Sequence, residues 1–168
     1  MGTGFDGDTL FRKFGVTKAI PNKAGEYKTP GLLREVEVTI DLTTLTQAEV
    51  IQSDQVFIPA GGRIHEVEVI AKTGAATGTA IDVGLTRTDR TTQLDFDGLL
   101  AAFVTASMNT AGETSIIRQA VTVPTGLAGT GALIGTTTAN VGYISASATD
   151  ATAFTAGVIL VKIRYFTP

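Results

Sequence analysis

Alternation of apolar and polar residues with a period of two is the feature that most constrains the fold of this chain. In residues 35–42, Glu-Val-Glu-Val-Thr-Ile-Asp-Leu, the apolar side chains share one strand face and the polar side chains share the other. The segments 63–72, 80–85 and 157–165 repeat the pattern. Strands with one apolar face are typical of antiparallel sheets that cover a core on one side and meet water on the other.

Turn residues divide the chain into short strands of similar length. Glycine- and proline-containing turns recur between them, and about seven to nine strands are predicted in this way. The pattern predicts an all-β fold, an antiparallel β-sandwich resembling a jelly roll, with residues 32–168 as its single domain. The strands near 36–42 and 158–165 are long and strongly patterned, and we expect them at the centre of their sheets.

Three local predictions refine this picture. The segments 63–72 and 80–85 are predicted to pair as a hairpin across the glycine-containing turn 73–78. Residues 97–104, Asp-Gly-Leu-Leu-Ala-Ala-Phe-Val, are predicted to form a short helix. Residues 46–51 are predicted to form a single helical turn.

Residues 1–31 differ in character from the remainder of the chain. Six glycines and two prolines interrupt every regular element there, so no helix or strand is predicted. The segment carries five basic and three acidic side chains, whereas the remainder carries eight basic and thirteen acidic ones. A frayed terminus is one interpretation. Its aromatic residues favour the other, an extended N-terminal arm that docks on an acidic protein surface through Phe5, Phe11, Arg12, Lys13, Phe14, Lys18 and Tyr27.

One such arm is expected to bind weakly. Ordering a long segment costs much of the free energy that burial of Phe11 and Phe14 provides. Several arms on one oligomer would bind more strongly through avidity. We therefore expect a homo-oligomer.

No catalytic site is predicted from the residues present. The chain has no cysteine and a single histidine, which excludes thiol nucleophiles, zinc–thiolate sites and histidine-rich metal sites. That histidine, His65, is expected to be a surface residue of a strand. Asp95-Phe-Asp-Gly98 matches a calcium loop only in part, because the terminal glutamate and the full spacing are missing. The glycines of 126–131 are expected to form an inter-strand loop and not a phosphate cradle. Neither a metal nor a cofactor is expected.

Paired glutamates occur twice, as Glu35 with Glu37 and as Glu66 with Glu68. Each pair has the two-residue spacing of one strand face, and we expect both pairs on solvated outer faces. The chain has no tryptophan and three tyrosines, whereas glycosidase clefts are usually rich in these rings. Glycoside hydrolysis by such a pair is therefore not predicted.

Charge and hydropathy exclude further classes of partner. The net charge of −3 argues against general nucleic-acid binding through phosphate contacts. No apolar stretch approaches the length of a membrane span, so no membrane association is expected. Residues 1–8 have neither the basic nor the apolar region of a signal peptide, and none is expected.

Several segments resemble a pattern of small virion proteins of tailed bacteriophages. In residues 57–70 a Pro-Ala-Gly turn leads into an alternating strand, and in residues 77–85 a Gly/Thr loop leads into the strand containing Asp-Val-Gly. Residues 155–165 resemble the closing strand of these proteins. The arm of residues 1–31 is a departure from the pattern.

The resemblance implies a capsid decoration (cement) protein with a jelly-roll body, often trimeric. It implies the major capsid protein as partner, a position on the capsid surface of the virion after synthesis in the host cytoplasm, and no catalytic residues. Two alternatives stay open. A tail-associated sandwich that binds a host glycan would need exposed aromatic rings on a concave surface, and a tail-tube subunit would assemble with itself into rings. The sequence also leaves open whether the arm contacts the shell or a neighbouring copy.

Overall fold

The computed structural model describes residues 33–53, 55–118 and 130–167, and the structural statements below concern these residues. The predicted arm, residues 1–31, lies outside them. Two short 3-10 helices span Leu42–Thr44 and Thr105–Met108. The nine strands of the described chain are β1 (Leu33–Asp41), β2 (Val50–Ile51), β3 (Phe57–Ile58), β4 (Arg63–Thr77), β5 (Ala80–Arg87), β6 (Gln93–Val104), β7 (Thr114–Arg118), β8 (Gly142–Ala148) and β9 (Phe154–Phe166).

The strands form two antiparallel sheets. Sheet A has the order β1-β9-β4-β7. In sheet B, β2 and β3 pair with the same strand, β8, which is followed by β5 and β6. The two short strands therefore act as one interrupted edge strand.

The strand pairs are nested along the chain. β5 pairs with β6, β4 with β7, β2 and β3 with β8, and β1 with β9. A long two-stranded ribbon is thus wound into a sandwich, and the pairs β4–β9 and β5–β8 complete the two sheets. This connectivity is that of a jelly roll. The predicted all-β sandwich of jelly-roll type is confirmed.

The core lies between the two sheets and is built from aliphatic side chains of both inner faces. Burial of each such side chain stabilises the fold by about 1.5–3 kcal/mol. The side chains with almost no exposed surface include Ile40, Val67, Val161 and Ile163 from sheet A and Ile81, Val83, Leu85 and Ile144 from sheet B.

The predicted hairpin of 63–72 with 80–85 is wrong, because β4 and β5 lie in different sheets. β4 continues to Thr77 and stays paired with β9 as far as Phe154. Thr77 and Gly78 then adopt positive φ angles of 59° and 36°, and the chain turns a corner into sheet B. A Cβ atom at Gly78 would lie 2.2 Å from the Phe154 ring, so the close packing at this corner requires glycine.

The predicted helix at 97–104 is also wrong, since these residues belong to β6. Phe103 pairs with Ile81 and Leu100 with Val83, so β6 carries one extra residue between these pairs. The buried side chains Leu99, Leu100 and Phe103 consequently have the spacing of a helix face, although the backbone is a bulged strand. Long-range pairing outweighs the weak helical tendency of so short a segment.

Two smaller predictions need correction. The helical turn expected at 46–51 is absent from that stretch, and a 3-10 helix occurs earlier, at Leu42–Thr44, where the Asp41 carboxylate accepts a hydrogen bond of 3.0 Å from the Thr43 N–H. β9 lies inside sheet A as expected. β1 lies at its edge, and no other strand of the described chain pairs with its free side.

Candidate interaction surfaces

The arm residues predicted to contact a partner precede the first described residue. The structure therefore leaves their role as a prediction. These residues are Phe5, Phe11, Arg12, Lys13, Phe14, Lys18 and Tyr27.

The outer face of sheet A carries a row of ion pairs that crosses four strands. Glu35 of β1 is the register partner of Arg164 on β9, and Arg164 is the register partner of Glu66 on β4. Arg164 Nε donates to Glu35 at 2.5 Å, and its Nη2 donates to Glu68 at 2.8 Å. Its Nη1 donates to Glu66. One guanidinium thus joins three carboxylates from two strands.

Glu66 corrects the expectation that both glutamate pairs are solvated. Only 5 % of its side chain is exposed, and Arg118 Nε on β7 donates to it at 2.5 Å. Burial opposes ionisation of this carboxyl, but the hydrogen bonds from Arg118 and Arg164 outweigh it, so the pKa of Glu66 lies below its ordinary value. Glu66 is therefore a buried anion held by two cations.

A neighbouring pair extends this network along the strands. Lys162 Nζ lies 2.9 Å from the Glu37 carboxylate. The hydrogen bond lowers the pKa of Glu37 and raises the pKa of Lys162. We call the network of Glu35, Glu37, Glu66, Glu68, Arg118, Lys162 and Arg164 the charged ladder. Its four carboxylates exceed its three cations by one, so the network joins neighbouring strands of sheet A and leaves little net charge for a partner.

Apolar side chains follow the charged ladder on the same outer face. Leu160 of β9 is the register partner of Ile70 on β4, and both are half-buried. Ile116 of β7, diagonal to Ile70, is 50 % exposed. These three residues form a small apolar patch beside the charged ladder.

A cleft of about 720 Å³ lies at the seam between the edges of the two sheets. Arg34 and Val36 of β1 line one side, and residues 55–57, 59 and 60 line the other. Phe57 is 45 % exposed there, and its ring makes an edge-to-face contact with Tyr143 at 6.4 Å between centroids. This volume is in the range of small-molecule sites. We call it the seam cleft.

Three aspartates lie close together around the bulge of β6. Asp82 of β5 is buried and accepts a hydrogen bond of 2.7 Å from the Ala102 N–H, where Ala102 has a positive φ of 47°. Burial raises the pKa of Asp82, and the charge of Asp97 raises it further. Burial and the neighbouring Asp97 carboxyl raise the pKa of Asp95. Asp82 thus holds a strained bulge in place.

The remaining chemical candidates have structural explanations. Asp95 and Asp97 lie in a strand and not in a calcium loop, and the described residues contain no group of metal-ligating side chains. His65 is exposed, as expected, and its ring meets Phe166 edge-on at 5.3 Å between centroids. Of the glycine loop 126–131, residues 126–129 lie outside the described chain. No helix in the described part is long and apolar enough to cross a bilayer.

Comparison with known proteins shows similarity in fold. No known protein family and no curated protein matches the sequence. A chain of the cyanophage Pam1 capsid asymmetric unit is 14 % identical, with a TM-score of 0.51 over 93 % of this chain and 99 % of that one. A chain of the capsid of Ralstonia phage GP4 is 14 % identical, with a TM-score of 0.52 over 95 % and 96 %. The fold is shared over nearly the full length of each.

Sequence reasoning missed the buried position of Glu66 and the roles of Asp82 and Gly84. A Cβ atom at Gly84 would lie 2.0 Å from the backbone oxygen of Asp95, so β6 approaches β5 only because this residue is glycine. The one signal in the sequence is a glycine inside a strand pattern, which often marks close backbone approach. No local signal reports the burial of Glu66.

Proposed function

We propose that this chain is a structural component of a bacteriophage capsid, and more specifically a decoration protein on the outer surface of the head shell. The observation that carries the proposal is the jelly roll, which the chain shares over almost its whole length with chains from two phage capsids. The resemblance of residues 57–70, 77–85 and 155–165 to small virion proteins supports the same assignment. The partner is then the major capsid protein.

The construction of the body suits a load-bearing role. Its core is closed by aliphatic side chains from both sheets, and the charged ladder ties all four strands of sheet A together. Side chains that are matched and packed in this way resist deformation. A rigid block of this kind stabilises a shell by adding interface area without changing shape, and it needs no catalytic residue.

The arm supplies the attachment in this proposal. Phe5, Phe11 and Phe14 enter apolar sites on the shell, and Arg12 and Lys13 contact acidic groups around them. Lys18 and Tyr27 extend the same surface. A trimer presents three arms at once, so weak single contacts combine into stable attachment. The function therefore requires both the arm and the oligomer.

Co-sedimentation with capsids that lack the protein tests the proposal. The full chain should pellet with the capsids, and a chain without residues 1–31 should stay in the supernatant. Phe11→Ala/Phe14→Ala should weaken binding at least tenfold, because burial of two phenylalanines contributes about 3–6 kcal/mol before ordering costs. Phe96→Ala/Val104→Ala, which removes two exposed apolar side chains of the body, is the matched control and should bind normally.

Two results would contradict parts of the proposal. If the full chain fails to pellet with any capsid preparation, the decoration role is wrong. If the truncated chain pellets as well as the full chain, the body and not the arm makes the attachment. Circular dichroism of each variant confirms that the body is folded.

Host-glycan binding by a tail-associated protein is the second candidate, and the exposed Phe57 beside the seam cleft favours it. An aromatic ring at the mouth of a cleft is a common sugar-stacking surface. Binding to a glycan array that is abolished by Phe57→Ala, together with no binding to capsids, would favour this function. Assembly of the isolated chain into rings, visible by electron microscopy, would instead favour a tail-tube subunit.

A further inference from the structure

A pocket of about 340 Å³ lies at the end of sheet A where β4 begins and β9 ends. It shares no lining residue with the seam cleft. Two of the side chains around it carry guanidinium groups, a third carries an imidazole, and none of the described lining residues is acidic. The pocket is lined by Arg63, Ile64, His65, Arg118, Gly135 and Phe166.

A β-bulge in β4 gives His65 its position at this pocket. The pairing of β4 with β9 shifts register between Ile64 and Glu66, so His65 is one extra residue on the β4 side. Bulges re-aim side chains and are frequent beside functional sites. The imidazole lies against the Phe166 ring, with 5.3 Å between the centroids, and remains exposed. The bulge therefore adds a third nitrogen-bearing side chain to the two arginines.

The two arginines have hydrogen-bond donors that no described residue uses. Arg63 is exposed and forms no ion pair with any described residue. Arg118 is 64 % exposed, and its Nε donates to Glu66, but no described residue accepts a hydrogen bond from its Nη atoms. The charge of Glu66 is shared between Arg118 and Arg164. The pocket thus presents free N–H donors and, at Arg63, a positive charge with no described counter-ion.

The surroundings of the pocket favour a protein carboxylate over the phosphates of a nucleic acid. Residues 32–168 carry eight basic and thirteen acidic side chains, so the body as a whole repels a polyanion. A single acidic side chain needs only the local positive charge, and guanidinium groups bind carboxylates through charge-assisted hydrogen bonds. Leu33, the register partner of Phe166, is 54 % exposed beside the pocket and offers apolar contact. This combination fits an acidic segment that also carries apolar residues.

We propose that this pocket binds a glutamate or aspartate side chain from an acidic segment of a partner protein, and we call it the carboxylate pocket. Arg63 and Arg118 donate to the carboxylate from the neighbouring strands β4 and β7, and the imidazole of His65 adds a third donor. Leu33 and Phe166 contact the apolar residues of the segment. The proposal concerns the folded body and does not depend on the capsid role.

Titration of the full chain followed by nuclear magnetic resonance tests the pocket directly. The probe is a short blocked peptide of alternating glutamate and alanine, and the same peptide with glutamine in place of glutamate is its control. The amide signals of residues 63–65 and of Gly135 should shift with the glutamate peptide and stay in place with the glutamine peptide. This method detects weak binding, so an absence of shifts is informative.

A matched pair of variants makes the result specific. Arg63→Gln should weaken binding of the glutamate peptide about two- to fivefold, because it removes one exposed ion pair. The side chain of Arg63 has no described ion-pair partner, so the variant should fold normally. Arg87→Gln makes the same change of charge at an exposed arginine of sheet B and should leave the affinity unchanged. Circular dichroism verifies the folding of both variants.

Three results would overturn the proposal. Equal shifts with the two peptides, or none with either, would show that the pocket does not recognise a carboxylate. Equal weakening by Arg63→Gln and Arg87→Gln would show general charge attraction and no defined site. Tighter binding of a short oligothymidylate than of the glutamate peptide at the same salt concentration would show that the site takes phosphate.

The titration also separates this inference from the proposed function. Failure of the full chain to pellet with capsids contradicts the decoration role and leaves the peptide result standing. Failure of the chain to distinguish the two peptides contradicts the carboxylate pocket, whether or not the chain pellets with capsids.

Discussion

Replacement of Glu66 by glutamine tests whether the charged ladder stabilises the fold. The substitution keeps the shape of the side chain and removes its charge. Glu66 sits between Arg118 and Arg164 with 5 % of its side chain exposed, so the two guanidinium groups lose a shared, desolvated anion. Loss of one member of a buried charge group is usually costly, because its partners remain.

The expected loss of unfolding free energy follows from the solvent exposure of the two arginines that bind Glu66. Arg118 is 64 % exposed, so its bond to Glu66 contributes at most about 1 kcal/mol. Arg164 is 28 % exposed, and a charge-assisted hydrogen bond in such a setting contributes about 1.5–3 kcal/mol. Because Arg164 keeps Glu35 and Glu68, we expect Glu66→Gln to lower the free energy of unfolding by about 2–3 kcal/mol. For a domain of this size that corresponds to a fall in Tm of about 4–12 °C.

Differential scanning calorimetry at pH 7 and at low pH measures the effect, with Glu37→Gln as matched control. Glu37 has the same chemistry in the same network, but its side chain is 49 % exposed, so its replacement should lower the free energy of unfolding by clearly less than that of Glu66. The pKa of Glu66 is lowered in the folded chain, so its contribution is present above the ordinary glutamate pKa of 4.5 and disappears as the pH falls through the lowered value. The difference in unfolding free energy between the wild type and Glu66→Gln should therefore become smaller as the pH falls through this range. Equal losses for the two variants at pH 7 would refute the argument from burial.

Two further predictions address the core and the aspartates. Val161→Asp should unfold the body, because it places an unpaired carboxylate in the fully buried middle of β9. Leu160→Asp, one residue away on the outer face, should stay folded as judged by circular dichroism. A normal melting transition for Val161→Asp would show that the inner face of β9 is misassigned. Asp95→Asn should raise the free energy of unfolding at pH 7 by about 0.5–2 kcal/mol, since burial and Asp97 raise the pKa of Asp95 and make its ionised form unfavourable in the folded chain. That gain should decline as the pH falls through the raised pKa toward the ordinary aspartate value of 3.8, and a gain that is the same at pH 7 and pH 3.5 would contradict this reasoning.

The positions of most strands could be predicted because the alternation of apolar and polar residues is a local property of the sequence. In β1, and in β9 from Gly157 onward, the inner and outer positions alternate, and the predicted faces of Val38 and Val161 agree with their burial. The same rule failed in β6, where the pairing with β5 shifts register at several points and the adjacent residues Leu99 and Leu100 are both buried. A bulge is stabilised by partners on the next strand, here the carboxylate of Asp82, so a single segment gives no warning of it.

Partner choice between strands depends on residues that are far apart in the sequence. Arg164 binds Glu35 across 129 positions and Glu66 across 98, so neither the burial of Glu66 nor the charged ladder follows from the spacing of the glutamates. The hairpin predicted for β4 and β5 failed for a related reason. Short connections usually join paired strands, but in a jelly roll the wound ribbon sends consecutive strands into opposite sheets.

β1 occupies an edge of sheet A, although its sequence pattern predicted a central position. A strand with such regular alternation has the appearance of a central strand, and its outward glutamates are as compatible with an edge. What distinguishes the two positions is the partner on the second side, and for β1 no described strand supplies one.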